Sequence, residues 1–351
     1  MESAEPTPPV ASQPARRPHL AARIEDAIHA FRERRGRRRG FVPTIVPFPG
    51  YGGDGWMRVL GRVLLVKPGR REPDRYTSIR GWRSFTSVPV RDAEIRVRAG
   101  EVELTIQADR GGVIDARVEA ELPAGWNTIL LTLEGSDAIE APVFVVDEAV
   151  RFGVISDIDD TVVVTSLPRP LLAAWTSFVT NEHARRPVPG MSVLYDRLMT
   201  AHPGSPIVYL STGAWNIVPT LNRFLTRHLY PRGAYLLTDW GPTPDRWFRS
   251  GQEHKALNLE RLAAEFPNVR WLLVGDDGQH DETRYEEFTK AHPQNVAAVA
   301  IRRLTTGEAV FAGGRSPHDF HGDGVRWVYG VDGAELAEQL AEIGVLGTPR
   351  A

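Results

Sequence analysis

Three carboxylates stand within four positions of the segment RFGVISDIDDTVVVT, residues 151–165. Asp157, Asp159 and Asp160 follow one apolar run and precede another. Carboxylates this close repel one another, and the end of a buried strand offers little water to reduce the repulsion. A hard divalent cation such as Mg²⁺ binds carboxylate oxygens and would neutralise the cluster. The segment therefore predicts a metal-dependent acidic site.

Further polar residues follow two later apolar segments, PIVYL and RWLLVG, or lie between them. They are Ser211, Thr212, Gly213, Lys255, Asp276, Asp277 and Asp281. In open α/β sheets, reactive groups gather where the strands end at their carboxyl edge. A lysine and a hydroxyl at that edge suit the oxygens of a phosphate group. The pattern predicts a phosphate site beside the carboxylates.

The elements that must position these residues lie in 149–351. Apolar strands, namely FGVIS, PIVYLS, AYLLT, RWLLVG and VAAVAI, alternate there with helical stretches such as HKALNLERL and DGAELAEQLAEIGVL. Strands that are apolar throughout and alternate with helices indicate a parallel sheet covered on both faces. We predict that one helix begins near His254, with Lys255 at its head, and that Asp332 and Glu335 cap another.

Residues 41–148 have a different pattern, with apolar residues at every second position. EIRVRAGEVELTIQ, VIDARVEAEL, NTILLTLEG and APVFVVDE are predicted strands, separated by turns rich in Gly, Pro or Asp. Short strands at this spacing predict a small antiparallel sandwich or barrel. We find no catalytic set of residues in it, and its role is left open.

The N-terminal forty residues divide into two parts. Residues 1–18 are rich in Pro and Ala and are predicted to be disordered. Residues 19–40 are predicted to form a basic amphipathic helix with an apolar stripe of Leu20, Ile24, Ile28 and Phe31. Such a helix can lie on an anionic membrane or dock its stripe on the neighbouring domain. The modest stripe favours docking.

Composition limits the classes of function. The chain has 351 residues, a formal net charge of -2 and no cysteine, so thiolate metal sites and cysteine nucleophiles are excluded. The near-neutral balance argues against a protein that attracts nucleic acid. No apolar run reaches the roughly 20 residues that span a bilayer, and the N-terminus lacks the features of a secretory signal. We expect a cytoplasmic protein.

The order of the motifs resembles a known family. SDIDDTV, YLSTGAWNIVPTLNRFL, HKALNLERL and LLVGDDGQHDETRYEEF are similar to the catalytic domain of the actin patch protein phosphatidate phosphatase family, within the haloacid dehalogenase superfamily. The resemblance covers about 150–310. It implies a haloacid dehalogenase-like, doubly wound parallel sheet. The gaps between motifs leave no room for a large cap domain.

The resemblance also implies roles for the residues. Asp157 would be the nucleophile, and Asp159 the general acid and base, with Ser211 and Lys255 on the phosphoryl group. Thr161, Thr212 and Gly213 would help to bind substrate. Mg²⁺ would be bound by Asp157, Asp159 (through its backbone carbonyl), Asp276 and Asp281. Asp277 is the alternative to Asp276, and Thr212 is the alternative to Ser211, which the strand register favours. STGAW departs from the SGSPW of family members, and this departure leaves the second hydroxyl open. Asp160 is interpreted as a turn residue.

These roles imply hydrolysis of a phosphomonoester through an aspartyl-phosphate, because an acid at position 159 favours turnover by water. The resemblance implies phosphatidate as substrate, and a peripheral membrane surface is compatible with the basic helix. No nucleic acid is expected as a partner, and no actin partner is inferred. Two alternatives remain. One is the same chemistry on a nucleic-acid end or a soluble phosphoester, and the other is a non-catalytic module that binds lipid or protein.

Overall fold

The structure is a computed structural model that describes residues 30–67, 88–164, 185–238, 244–278, 281–305 and 324–346, without the side chains of 244–252. The predicted tail, 1–18, and most of the predicted helix, 19–40, lie outside these residues. Residues 30–38 are helical. Phe31, the described member of the apolar stripe, is 62% exposed. At this residue the predicted docking of the stripe is therefore not observed.

The first sheet contains eight strands. They are β1 Val42–Gly53, β2 Trp56–Val66, β3 Val88–Pro89, β4 Glu94–Ala99, β5 Val102–Gln107, β6 Val113–Glu119, β7 Gly125–Leu133 and β8 Ile139–Val145. Their order is β3-β2-β1-β8-β7-β4-β5, and β6 also pairs with β2. The strands predicted from period-two patterns are confirmed as β4 to β8, and Ile95 and Val97 point into the core while Arg96 is exposed.

The predicted antiparallel sandwich is wrong in one respect. β1 and β8 pair in parallel, so the strands form one curled, mixed sheet. The alternation of apolar residues shows which face of a strand is buried, but it does not show which strand is the neighbour. β8, the last strand of this sheet in the chain, lies in its middle between β1 and β7 and runs parallel to β1.

The second sheet contains six strands, all parallel. They are β9 Phe152–Ser156, β10 Ile207–Ala214, β11 Ala234–Thr238, β12 Arg270–Asp276, β13 Val296–Arg302 and β14 Trp327–Gly330. Their order is β11-β10-β9-β12-β13-β14. The predicted parallel sheet and its five strands are confirmed, whereas the short β14 was not predicted. The strand order reverses between β9 and β12, and ligands bind at such a switch point.

Five helices accompany this sheet in the part of the chain that the structure describes. They are α1 Met191–Ala201, α2 Val218–Arg227, α3 Pro244–Glu265, α4 Asp281–Ala291 and α5 Gly333–Glu342. The predicted cap of α5 is confirmed, since the Asp332 carboxylate accepts hydrogen bonds from the backbone of Ala334 (2.9 Å) and Glu335 (3.1 Å). The predicted start of α3 near His254 is wrong, because the helix begins at Pro244, a residue suited to a first turn.

The two sheets are joined by side-chain contacts along α3. Glu265, at the end of α3, accepts hydrogen bonds from the Tyr51 hydroxyl (2.7 Å) and the Arg58 guanidinium (2.5 Å). Arg261, one turn earlier, donates to the Asp115 carboxylate at 2.8 Å. These contacts fix α3, which carries Lys255, against the first sheet. No helix among the described residues is long and apolar enough to cross a membrane.

Candidate active site

Asp157 and Asp276 meet at the switch point of the second sheet. Asp157 directly follows β9, and its backbone N–H donates to the carbonyl of Val274 in β12 at 2.8 Å. Asp276 is the last residue of β12, and Asp281 is the first residue of α4. One carboxylate oxygen from each of Asp157, Asp276 and Asp281 lies within 4.8 Å of the others, and all three residues are buried. The structure thus brings together three of the predicted metal ligands.

Gly275 explains how Asp281 comes so close to β12. A Cβ atom at position 275 would lie 2.9 Å from Oδ2 of Asp281 and 2.8 Å from the ring of Tyr285. Both distances are shorter than side chains tolerate, so a larger residue would displace the first turn of α4. Glycine before Asp276 is therefore part of what positions the acidic cluster.

Lys255 bridges two members of the cluster. Its Nζ atom lies 2.6 Å from Oδ1 of Asp157 and 2.6 Å from Oδ1 of Asp281. The residue lies in the second half of α3 rather than at its head, and it is buried. The predicted proximity of Lys255 to the nucleophile position is observed, and a buried ammonium between two carboxylates makes strong, charge-assisted hydrogen bonds.

The electrostatics of the cluster are dominated by burial. Burial, followed by the charges of Asp281 and Asp159, raises the pKa of Asp157 to about 8, although Lys255 opposes this shift. Burial alone would lower the pKa of Lys255, but the carboxylates of Asp157 and Asp281 raise it. The lysine therefore stays charged, and the raised pKa of Asp157 shows that one ammonium does not balance the negative charge that the cluster would carry with every carboxylate ionised.

The cluster fits a hard divalent cation. Its donors are carboxylate oxygens, which Mg²⁺ prefers. Oδ2 of Asp281 is buried and accepts no hydrogen bond from any residue that the structure describes. A buried oxygen without a partner is costly unless an ion or water satisfies it. The excess negative charge and this oxygen are both accounted for if a cation is bound among Asp157, Asp276 and Asp281.

Asp159 has a different environment from Asp157. Its Oδ2 atom accepts a hydrogen bond from the Ser211 hydroxyl at 3.3 Å, and Ser211 Oγ accepts one from the backbone N–H of Gly213 at 2.9 Å. Asp157 thus contacts the lysine, while Asp159 contacts the strand end that carries Ser211. Two carboxylates in different environments are suited to different roles. Thr212 is half-buried, and its carbonyl accepts from the hydroxyl of Thr238 at 2.8 Å.

The chain after Asp157 forms a tight turn. Asp160 has a left-handed backbone, with φ of 56°, and its N–H donates to the carbonyl of Val163 at 2.8 Å. The structure agrees with the interpretation of Asp160 as a turn residue, since Asp tolerates this conformation. Thr161 is fully buried, and its hydroxyl has no hydrogen-bond partner among the described residues.

The register of β12 distinguishes Asp276 from Asp277. Asp276 belongs to the acidic cluster, and its Oδ1 atom accepts from the N–H of Gly278 at 2.8 Å. Asp277 instead accepts a hydrogen bond from the N–H of Leu304 at 2.8 Å. Asp276 is the last residue of β12 and faces the cluster, whereas Asp277 lies beyond the strand and joins the turn after β13.

Two arginines near the acidic turn were not identified from the sequence. Arg302 is buried, and its guanidinium donates to the carbonyl of Asp160 at 2.6 Å. Burial lowers the pKa of Arg185, while the charges of Asp159 and Asp160 act to raise it. An arginine that directly ends an apolar strand, as Arg302 does in VAAVAIR, was the available signal for the first. For Arg185 the sequence carries no comparable signal.

The fold and the site define an α/β protein with a buried acidic centre at the carboxyl edge of a parallel sheet. Residues 152–303 match the family described as phosphatidate phosphatase APP1, catalytic domain, which supports an APP1-like family for this part of the chain. Phosphatidate phosphatase APP1 of Saccharomyces cerevisiae is 23% identical over 152 residues, which are 43% of this chain. The match spans only a quarter (25%) of the yeast protein's length.

Solved structures give weaker similarities. A carbohydrate acetylesterase from Xanthomonas citri has a TM-score of 0.29 and 12% identity, over 86% of this chain and 74% of that chain. A carbohydrate esterase, described for the divergent catalytic and non-catalytic binding functions of its active site, has a TM-score of 0.22 and 9% identity, over 61% and 74%. Scores this low carry no conclusion about fold or function.

Proposed function

We propose that this protein is a Mg²⁺-dependent phosphatase that hydrolyses a phosphomonoester, with phosphatidate as the favoured substrate. The observation that carries the proposal is the position of the Lys255 ammonium, 2.6 Å from the carboxylates of both Asp157 and Asp281 at the switch point of the sheet. The similarity of residues 152–303 to the APP1 catalytic domain supports the same reaction. The proposal includes a haloacid dehalogenase-like fold for the second sheet.

In the first half of the proposed reaction, a carboxylate oxygen of Asp157 attacks phosphorus. A bond from Asp157 to phosphorus forms, and the bond from phosphorus to the ester oxygen breaks, which leaves an aspartyl-phosphate. The departing alkoxide takes the proton of Asp159 and leaves as an alcohol. The separate environments of Asp157 and Asp159 support this division between nucleophile and acid.

In the second half, water attacks the phosphorus of the aspartyl-phosphate and gives a proton to the Asp159 carboxylate. The bond from Asp157 to phosphorus breaks, so that inorganic phosphate leaves and both side chains return to their first state. Lys255 offsets charge on the transferred phosphoryl group, and the Ser211 hydroxyl donates a hydrogen bond to one of its oxygens. Thr161, Thr212 and Gly213 line the same strand ends and remain candidates for substrate binding.

Mg²⁺ would be held by the carboxylates of Asp157, Asp276 and Asp281 and by the backbone carbonyl of Asp159, and it supplies positive charge that screens a carboxylate from an anionic substrate. The position of Asp276 in the cluster supports it over Asp277. The contact of the Ser211 hydroxyl with Asp159 supports Ser211 over Thr212 as the phosphate-binding hydroxyl.

The test is phosphate release from a panel of substrates with and without Mg²⁺. The panel contains vesicles of phosphatidate, a 5′-phosphorylated oligonucleotide, nucleotides and sugar phosphates. We expect release that depends on Mg²⁺ and is fastest on phosphatidate. Faster turnover of the oligonucleotide or of a soluble phosphoester would keep the mechanism and overturn the lipid assignment.

Two neighbouring substitutions separate the nucleophile from the turn residue. Asp157→Asn should lower kcat by about four orders of magnitude or more, since it removes the attacking group. Asp160→Asn should have a much smaller effect, because asparagine also tolerates the left-handed conformation of the turn. Similar residual activity in the two variants would contradict the assignment of Asp157.

A further inference from the structure

We propose that Arg62 and Phe48, which lie in the first sheet, are positioning residues for the phosphate-binding loop, a name used here for residues 211–217, which are the last four residues of β10 and the short 3-10 helix after it. The inference rests on the proposed function, because it takes Ser211 as a residue that binds the phosphoryl group. It gives the first sheet a role in catalysis, although the match to the APP1 catalytic domain begins only at residue 152.

The first half of the phosphate-binding loop is held by the second sheet. The hydroxyl of Thr238, at the end of β11, donates to the carbonyls of Thr212 (2.8 Å) and Gly213 (3.2 Å). The Gly213 N–H donates to Ser211 Oγ. These bonds and the pairing of Ala214 with Thr238 join the first half of the loop to the neighbouring strand, and they reach no further along the loop than Ala214.

The second half of the loop is held by the first sheet. The ring of Trp215 stacks on Phe48 of β1, with the centroids 5.0 Å apart and the planes 4° from parallel. Asn216 accepts a hydrogen bond at Oδ1 from the guanidinium of Arg62 in β2, at 2.5 Å. Trp215 is only 4% exposed, so the stack is buried between the two sheets.

Arg62 occupies an unusual position for an arginine. It lies in the middle of β2, opposite Val46 on one side and Val113 on the other, and is 9% exposed. A guanidinium in such surroundings is costly unless its N–H groups are hydrogen-bonded. Its Nε atom donates to the carbonyl of Gly111 at 3.1 Å, which orients the group toward Asn216.

The contacts matter because of where Ser211 lies. Asn216 is five residues after Ser211, and the loop between them has its two halves held by different sheets. Displacement of a binding group by about 1 Å can lower the rate about 100-fold. If the contacts of Arg62 and Phe48 with the second half of the loop are lost, the Ser211 hydroxyl and the Gly213 N–H are held less rigidly in place.

The test compares three single variants of the full chain and the double variant of Asn216→Leu with Arg62→Met. Asn216→Leu removes the amide that accepts in the loop, and Arg62→Met removes the donor, together with its bond to Gly111, while keeping most of the side-chain volume. Arg96→Met is the matched control, because Arg96 is an exposed arginine of the same sheet, paired with Glu103. For each variant we would measure kcat, KM, inhibition by inorganic phosphate, and hydrogen exchange of the amides in 211–217.

We expect Asn216→Leu and Arg62→Met each to raise the inhibition constant of inorganic phosphate about tenfold, the factor that corresponds to the loss of about 1.4 kcal/mol. kcat should fall as well, and exchange in the loop should accelerate. In phosphate inhibition and loop exchange, the double variant should be no worse than Arg62→Met alone, since either single substitution already breaks the bond from Arg62 to Asn216. Arg96→Met should resemble the wild type. Additive losses, or unchanged phosphate inhibition and exchange in Asn216→Leu, would overturn the inference.

Hydrogen exchange also separates this inference from the proposed function. If the wild-type protein released no phosphate from any substrate, the proposed function would fail. Faster exchange confined to 211–217 in both interface variants would then still support the bracing of the loop, and unchanged exchange would refute it. A general loss of stability is recognised by faster exchange in all strands, which would count against a positioning role.

Discussion

Replacement of Lys255 by methionine tests the electrostatic description of the centre most directly. The substitution keeps much of the volume and removes the ammonium that lies 2.6 Å from Asp157 and from Asp281. Without it, one more carboxylate of the buried cluster must take up a proton or remain uncompensated. Removal of one partner from a buried ion pair typically costs about 3–5 kcal/mol.

The loss of stability in Lys255→Met follows from the free energy needed to protonate one buried carboxylate. From an ordinary value of 3.8 for an aspartate, protonation of one carboxylate costs about 4 kcal/mol at pH 7 and about 2 kcal/mol at pH 5, at about 1.4 kcal/mol per pH unit. These figures are upper limits, because the buried ammonium has its own cost in the wild type. The stability deficit of Lys255→Met should therefore shrink as the pH falls, since protons then neutralise the carboxylates.

The assay is urea unfolding at pH 7 and pH 5, without metal and with saturating Mg²⁺. Lys290→Met is the matched control, because Lys290 forms an exposed ion pair with Glu286, and such pairs contribute less than about 1 kcal/mol. Mg²⁺ at 100 times its dissociation constant for the variant should raise the stability of Lys255→Met itself by about 2.7 kcal/mol. A deficit that is equal at both pH values, a variant whose stability does not respond to Mg²⁺, or a deficit no larger than that of Lys290→Met would refute the reasoning.

Three further predictions concern the surroundings of the cluster. Gly275→Ala should raise the Mg²⁺ concentration for half-maximal phosphate release by about tenfold or more, because the new Cβ would displace Asp281. An unchanged Mg²⁺ titration would contradict this. Asp276→Asn should raise the Mg²⁺ concentration for half-maximal activity about 100-fold, whereas Asp277→Asn should change it little, and the reverse order would exchange their roles. Burial lowers the pKa of His254 from 6.5 to about 4. Because the folded state binds this proton less readily than the unfolded state, the free energy of unfolding should fall by about 3 kcal/mol as the pH drops from 6.5 toward 4. His254→Gln should remove that part of the slope in urea unfolding, and an identical slope would show that another group is responsible.

The parallel sheet could be predicted from the sequence because its strands are apolar throughout. Phe152, Trp271 and Val296 begin runs whose burial on both faces leaves few alternatives to a sheet covered by helices. β14 was missed because it has four residues, too few for a periodic pattern. The start of α3 was placed too late, since the first turns of that helix carry no apolar repeat that distinguishes them from a loop.

The candidate site could be predicted in part, since its acidic residues directly follow strands. Asp157 and Asp276 are separated by more than a hundred positions, but each ends a strand, and parallel strands end at the same edge. The contacts that hold them were not visible in the same way. Arg62 lies in the first sheet, whereas Asn216 follows β10 of the second, and Arg302 reaches the carbonyl of Asp160 across the fold. Such contacts depend on packing, which no local pattern encodes.

The parallel pairing of β1 with β8 has a consequence for synthesis of the chain. β1 cannot pair with β8 until β8 has emerged from the ribosome, when almost all of the chain before β9 has been made. Pairings between such distant segments form slowly, because a long loop must close first. During that interval the hairpin of β1 and β2 has an unpaired edge, and this nascent stage is where we expect chaperones to act on the protein.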